Sequence, residues 1–84
     1  MGLPSQPVTF SPEQIEALNQ KLATMRHDIN NHLSLIVAAA ELIRSKPQVA
    51  ERMLMTMSEQ PGKITASIKK FSGDFEGAFG ITRP

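Results

Sequence analysis

The stretch IEALNQKLATMRHDINNHLSLIVAAAELI, residues 15–43, repeats apolar residues at alternating steps of three and four. This seam consists of Ile15, Leu18, Leu22, Met25, Ile29, His32, Ile36, Ala39 and Ile43, in which only His32 is polar. Such spacing is typical of the buried stripe of a coiled coil or helical bundle. The stripe is widened by Leu33, Leu35, Val37 and Leu42. Because a wide apolar face needs more than one neighbour, the pattern favours a four-helix bundle.

The start of this first helix is predicted by three agreeing signals. Ser11 is a suitable N-cap, Pro12 suits the first helical position, and Gln14 completes a capping box. The helix should end near Arg44. Residues 1–10 contain one glycine and two prolines, which predicts a flexible N-terminal arm.

A second helix is predicted after the turn Ser45-Lys46-Pro47-Gln48, with Ser45 as its N-cap. The short connection predicts an antiparallel hairpin. The second apolar seam consists of Ala50, Leu54, Met57, position 61, Ile64, Ile68 and Phe71.

Pro61-Gly62 leaves two alternatives open, a helix end followed by a short third helix or a kinked continuous helix. The seam keeps its phase across Pro61, which favours the continuous helix. Residues 73–84 contain further glycines and a proline and predict an irregular tail or linker. The expected organisation is therefore an arm at 1–10, an all-α helical hairpin at 11–72 and a tail at 73–84.

Composition narrows the classes of function and partner. A chain of 84 residues allows one small domain with a marginal core, which favours oligomerisation and here a homodimer. The net charge of +1, with acids and bases interspersed, gives no case for nucleic acid or a membrane as partner. No cysteine is present, which excludes disulfides and thiolate zinc sites. With no long apolar run and no signal-peptide pattern, a soluble cytoplasmic protein is expected.

A polar cluster in the first helix contains the candidate site residues. His27 falls at the position farthest from the apolar seam, Asp28 follows it, and Asn31 lies one turn on, about 40° round the helix. The alternative reading of His27 is an ordinary surface histidine. His32, on the seam, is predicted to have a structural role. Asp28, four residues before it, could share a hydrogen bond with it. A metal site formed by these side chains is disfavoured, because His27 and His32 point about 140° apart.

The segment Arg26–Leu42, with the pattern H-D-x-x-N-x-L at its start, resembles the H-box of sensor histidine kinases. The same form occurs in hybrid kinases and in sporulation-type phosphotransferases. The resemblance spans 17 residues, and the predicted architecture of 11–72 is similar to a dimerisation and histidine-phosphotransfer (DHp, HisKA-like) domain. The tail is not covered.

The resemblance implies a mechanism and partners. Two hairpins would form a four-helix bundle, and His27 would accept a phosphoryl group from, or pass it to, an aspartate of a response-regulator receiver domain. Asp28 would act as acid-base or orienting partner, and Asn31 would position a water that hydrolyses the phospho-aspartate. The resemblance implies no intrinsic cofactor, with Mg²⁺ supplied by the receiver domain.

Two departures from the family pattern affect these expectations. Many relatives have proline where His32 stands, and Pro61, at the same level of the second helix, would provide the bend instead. After Phe71 only thirteen residues remain, too few for an ATP-binding domain, so phosphorylation from ATP would need a separate or C-terminal kinase domain. Whether the chain is an enzyme is left open. The alternatives to phosphotransfer are a non-catalytic dimerisation or scaffold module and a response-regulator phosphatase that relies on Asn31.

Overall fold

The computed structural model describes residues 2–81, which form an all-α hairpin of two long helices, as the two apolar patterns predict. Helix α1 is Pro12–Ser45, helix α2 is Ala50–Phe79, and a single 3₁₀ turn at Pro47–Val49 leads into α2. The helices are antiparallel, as shown by cross-hairpin contacts of Phe10 with Phe79, Lys21 with Asp74, and His32 with Gln60. Within residues 2–81, neither helix combines the length and apolar character that crossing a membrane requires.

Helix α1 begins with the predicted capping box. The Gln14 backbone N–H donates to the Ser11 hydroxyl at 3.1 Å, and the Ser11 N–H donates to Oε1 of Gln14 at 2.8 Å. Two N–H groups that a helix start leaves unpaired are satisfied in this way. Pro12 has no N–H to satisfy and follows directly as the first helical residue.

The turn differs from the prediction in its capping residue. Ser45 is the last residue of α1, and its hydroxyl donates to the Glu41 carbonyl at 3.1 Å. The chain leaves the helix at Lys46, whose N–H donates to the Leu42 carbonyl at 2.7 Å. The prediction of Ser45 as N-cap of the second helix is therefore wrong. A serine hydroxyl can bond back to the preceding turn as readily as it caps the next one.

Helix α2 passes through Pro61 and Gly62 without interruption, so the continuous alternative is confirmed. The helix ends before Gly80, which adopts the left-handed conformation with φ 67°. Only glycine takes this conformation without steric cost, which makes it the usual residue at this position. The predicted irregular tail is wrong for residues 73–79, which are helical, and residues 82–84 lie outside the described part of the chain.

A ladder of phenylalanine rings lines the end of α2. Phe71, Phe75 and Phe79 recur every four residues, with successive ring centroids 6.1 and 4.5 Å apart. Phe10 from the N-terminal arm completes the ladder, 4.6 Å from Phe79. Aromatic side chains at this spacing support a helix and attract one another in tilted pairs. These contacts keep the segment helical despite its glycines.

The helices pack along the predicted stripe of α1. From Leu18 to Ile43 the stripe residues are half-buried, and Ala39 is buried. Ile15, at the start of the predicted seam, is exposed. The stripe thus forms the contact with α2 over most of the length of α1.

On α2 the face that contacts α1 differs from the predicted seam at three positions. Leu54 and Ile68 are 57% and 45% exposed, and Pro61 is exposed as well, so the predicted seam is wrong at these positions. Their preceding neighbours face α1 instead: Met53 and Ser67 are half-buried and Gln60 is buried. The predicted positions Met57, Ile64 and Phe71 are half-buried.

Candidate functional site

His27 lies in the middle of α1, on the side away from α2. Its side chain is 84% exposed, while Met25 and Ile29 on either side of it are half-buried in the stripe. The apolar stripe therefore passes His27 without including it. A continuous helix holds the backbone, so the imidazole is presented to solvent from a fixed position.

Asp28 directs its carboxylate toward the imidazole of His27. The distance from Oδ1 of Asp28 to Nδ1 of His27 is 3.6 Å. Adjacent helical residues diverge by about 100°, so this approach could not be derived from spacing. The separation is too long for a hydrogen bond, but a carboxylate at this distance interacts with a charged ring. Within residues 2–81 no hydrogen bond engages Nε2, the other ring nitrogen of His27.

Asn31 follows one turn after His27 and is exposed. At about 100° per residue the two side chains lie about 40° apart around the helix. An amide and an imidazole on successive turns of one face can reach the same bound group. The three predicted site residues thus share the solvent side of α1, although only His27 and Asp28 are in direct proximity.

His32 lies on the opposite side of α1 and contacts α2. Its Nδ1 is 2.9 Å from Oε1 of Gln60, in a part-buried hydrogen bond. The predicted structural role of His32 fits this placement, but its partner is Gln60 and not Asp28. Gln60 was missed from the sequence, because only the register of the hairpin brings residues 32 and 60 together.

A groove of about 360 Å³ opens between the helices beside Asp28. Its polar lining includes Lys21 and Asp28 from α1 and Lys70 and Asp74 from α2. Nζ of Lys21 lies 3.8 Å from Oδ1 of Asp74 across the helix boundary. Two amines and two carboxylates thus surround the groove. Of these four residues, Asp28 alone was singled out from the sequence.

Two exposed leucines extend the flank of α1 that carries Asp28 and Asn31. Leu35 is 42% exposed and lies about 20° round the helix from Asp28, and Leu42 continues the line two turns later. Isolated exposed leucines are common on protein surfaces. Here they lie next to the polar cluster formed by Asp28 and Asn31.

Comparison with known proteins finds no match to this chain. No family model matches the chain, no curated protein matches it, and no solved structure matches it. Within residues 2–81, no group of three or more metal-ligating side chains is placed to hold a metal ion. The functional assignment therefore depends on the His27 site and on the resemblance of its sequence to the H-box.

Proposed function

We propose that this protein transfers a phosphoryl group through His27 in a two-component signalling relay, with a response-regulator receiver domain as its partner. The observation that carries this proposal is the pairing of an 84% exposed imidazole with a carboxylate 3.6 Å from its Nδ1. Within the described residues Nε2 of His27 forms no hydrogen bond, so it is available as the nucleophile.

The proposed transfer step uses Nε2 of His27 as the attacking atom. With the proton on Nδ1, the Nε2 lone pair of His27 attacks the phosphorus of the receiver's phospho-aspartate. A P–N bond forms, the acyl-phosphate P–O bond breaks, and the aspartate carboxylate leaves with the bonding electron pair. The imidazole becomes cationic, and the Asp28 carboxylate beside Nδ1 stabilises that charge. The reverse reaction returns the phosphoryl group to the receiver.

The receiver domain would supply the metal ion for the transfer. Its acidic site would hold Mg²⁺, which neutralises charge on the phosphoryl oxygens during transfer. The flank of Asp28, Asn31 and Leu35 would contact the receiver. As part of the same proposal, the protein acts in the cytoplasm, and a separate or C-terminal ATP-binding kinase domain would load the relay.

The test is the intact mass of the purified protein after incubation with phosphoramidate, a small phosphohistidine donor, at neutral pH. We expect a gain of one acid-labile phosphoryl group in the wild type and none in His27→Ala. Fragment spectra distinguish His27 from His32, the only other histidine. A second arm offers the protein a phosphorylated receiver domain with Mg²⁺. A wild-type protein that accepts phosphate in neither arm contradicts the proposal.

A response-regulator phosphatase that acts through Asn31 is the second candidate, favoured by the exposure of Asn31 on the face of His27. It predicts that Asn31→Ala abolishes receiver dephosphorylation while His27→Ala does not. A non-catalytic dimerisation or scaffold module predicts instead that receiver binding is unchanged by His27→Ala and that no phosphate is transferred or released.

A further inference from the structure

The groove between α1 and α2 lies where small side chains of the two helices face each other. Ala17 of α1 and Ser67 of α2 line it, together with the half-buried side chains of Met25 and Phe71. Its volume of about 360 Å³ is at the lower end of the roughly 300–1,000 Å³ found for pockets that hold small molecules. The groove therefore has a size and an apolar lining that suit a small ligand.

An ion pair closes one end of this groove. Lys21 and Asp74, 3.8 Å apart, line both the groove and a second cavity of about 180 Å³, which Phe10 and Leu18 also line. The pair thus stands between the two cavities. Because its opposite charges offset each other, the remaining charge in the groove comes from Lys70 and Asp28.

Lys70 and Asp28 are both open to a further partner. Within residues 2–81, Lys70 forms no ion pair. The Asp28 carboxylate lies 3.6 Å from Nδ1 of His27, which is too long for a hydrogen bond. The groove therefore offers one ammonium group and one carboxylate to a bound molecule.

The two charges lie close together along the hairpin. The contact of Lys21 with Asp74 places these two residues at about the same level. Toward the turn, Lys70 is four residues from that level and Asp28 is seven, which is about 6 and 10.5 Å at 1.5 Å per residue. Their backbones are thus about 4.5 Å apart along the axis, on opposite helices. A molecule whose own ammonium and carboxylate groups are neighbours can contact both.

We propose that the groove binds an α-amino acid with a large apolar side chain. The carboxylate of the ligand pairs with the Lys70 ammonium, and its own ammonium pairs with the Asp28 carboxylate. The side chain of the ligand packs against Met25 and Phe71, and an aromatic ring is favoured there by the ring of Phe71. A ligand with only one charge would leave either Lys70 or Asp28 without a partner, so a zwitterion is the complementary ligand.

Binding of the amino acid requires only the groove and does not depend on phosphotransfer. Asp28 nevertheless belongs to both sites, because it lines the groove and lies beside His27. A bound ammonium group would compete for the carboxylate that faces the imidazole. The consequence that the ligand slows phosphorylation of His27 rests on the proposed function, whereas the binding itself is measured without any phosphate donor.

The test is a nuclear magnetic resonance titration of the nitrogen-labelled full chain with phenylalanine and three analogues. 3-Phenylpropanoate lacks the ammonium group, 2-phenylethylamine lacks the carboxylate, and glycine lacks the apolar side chain. We expect phenylalanine to bind with a Kd on the order of 1 mM, as its size allows. Backbone shift changes should be confined to residues 17–28 and 67–74. Each analogue should bind at least roughly fivefold more weakly.

Three variants locate the site. Lys70→Gln should weaken phenylalanine binding by roughly fivefold, whereas Lys69→Gln should leave it within about twofold of wild type. Lys69 is the matched control, because it is exposed, lies about 100° from Lys70 around α2 and does not line the groove. Ala17→Leu should fill the groove and abolish binding, with helix content unchanged by far-ultraviolet circular dichroism.

Three results would overturn the proposal. The first is that phenylalanine produces no shift changes, or produces them outside the groove. The second is that an analogue with one charge, or glycine, binds as tightly as phenylalanine. The third is that Lys70→Gln binds phenylalanine as tightly as the wild type.

Discussion

His32 and Gln60 form a hydrogen bond across the hairpin with a defined direction. The amide nitrogen of Gln60 donates to the Thr56 carbonyl at 3.0 Å, so its oxygen is the group that faces Nδ1 of His32 at 2.9 Å. His32 therefore carries a proton on Nδ1 and donates it. Gln60 is 2% exposed, which makes it one of the two buried residues in the described chain. This pair links α1 to α2 near the middle of the hairpin.

Gln60→Leu should lower the free energy of unfolding by about 1–3 kcal/mol, because the Nδ1–H of His32 loses its acceptor in a part-buried position. Urea denaturation at fixed chain concentration measures the change. Gln20→Leu, at an exposed position of α1, is the matched control and should change stability by no more than about 0.5 kcal/mol. The double variant His32→Leu/Gln60→Leu should recover part of the loss, since neither polar group is then left unpaired. If Gln60→Leu is as stable as the wild type, the hydrogen bond between His32 and Gln60 does not stabilise the hairpin.

Asp28→Asn should slow the phosphorylation of His27 by phosphoramidate by about 100-fold, because an amide stabilises the cationic ring far less than a carboxylate. The time course of intact mass gives the rate. Asp74→Asn is the control, since Asp74 pairs with Lys21 and lies away from His27. Equal rates in Asp28→Asn and the wild type would mean that the carboxylate has no part in transfer.

Asn31→Ala should leave phosphorylation of His27 by phosphoramidate within about threefold of wild type, because the amide is assigned to a water and not to the ring. It should instead reduce the release of inorganic phosphate from a phosphorylated receiver. Asn30→Ala provides the control, since Asn30 is exposed but lies about 100° from Asn31. If both variants release phosphate at the wild-type rate, Asn31 is an ordinary surface residue.

Gly73→Ala and Gly80→Ala should change stability in opposite directions. Gly73 is helical, and a Cβ there meets no atom within 4 Å, so alanine should stabilise the protein by about 0.5–1 kcal/mol. Gly80 has φ 67°, where alanine is strained by about 1 kcal/mol. Urea denaturation of both variants at one chain concentration tests the difference. Stabilisation of both would mean that the left-handed end of α2 is not maintained in solution.

The fold was largely predictable because its signals are local. The capping box of Ser11 and Gln14 and the stripe of α1 mark the first helix without reference to any other part of the chain. The short turn then leaves an antiparallel hairpin as the simplest arrangement. The helical end of α2 was not predicted, because Gly73 and Gly77 are local signals against a helix. The phenylalanine ladder that supports the helix includes Phe10, which is more than sixty residues away in the sequence.

The face of α2 that contacts α1 and the surroundings of His27 both depend on contacts that the sequence does not display. Leu54 and Ile68 are more apolar than Met53 and Ser67, so a search for apolar spacing selects Leu54 and Ile68. The hairpin instead buries Gln60, because His32 is its partner. The approach of Asp28 to His27 depends on side-chain rotamers, which spacing does not determine. The exposure of His27 could be predicted, because it requires only the position of His27 relative to the apolar stripe of α1.

The contact of Phe10 with Phe79 brings the two ends of the hairpin to one pole, with the turn at the other. A circular permutant that joins these ends by a short linker and opens the chain at the turn should therefore keep both helices and the His27 site. Fluorescent labels attached beside Phe10 and Phe79 would lie near each other and transfer energy efficiently. The helix termini at this pole, Pro12 and Phe79, lie about 22 Å from the level of His27 along the helix axis, at 1.5 Å per residue. The geometry of this pole thus allows the folded state to be followed without any label near the histidine.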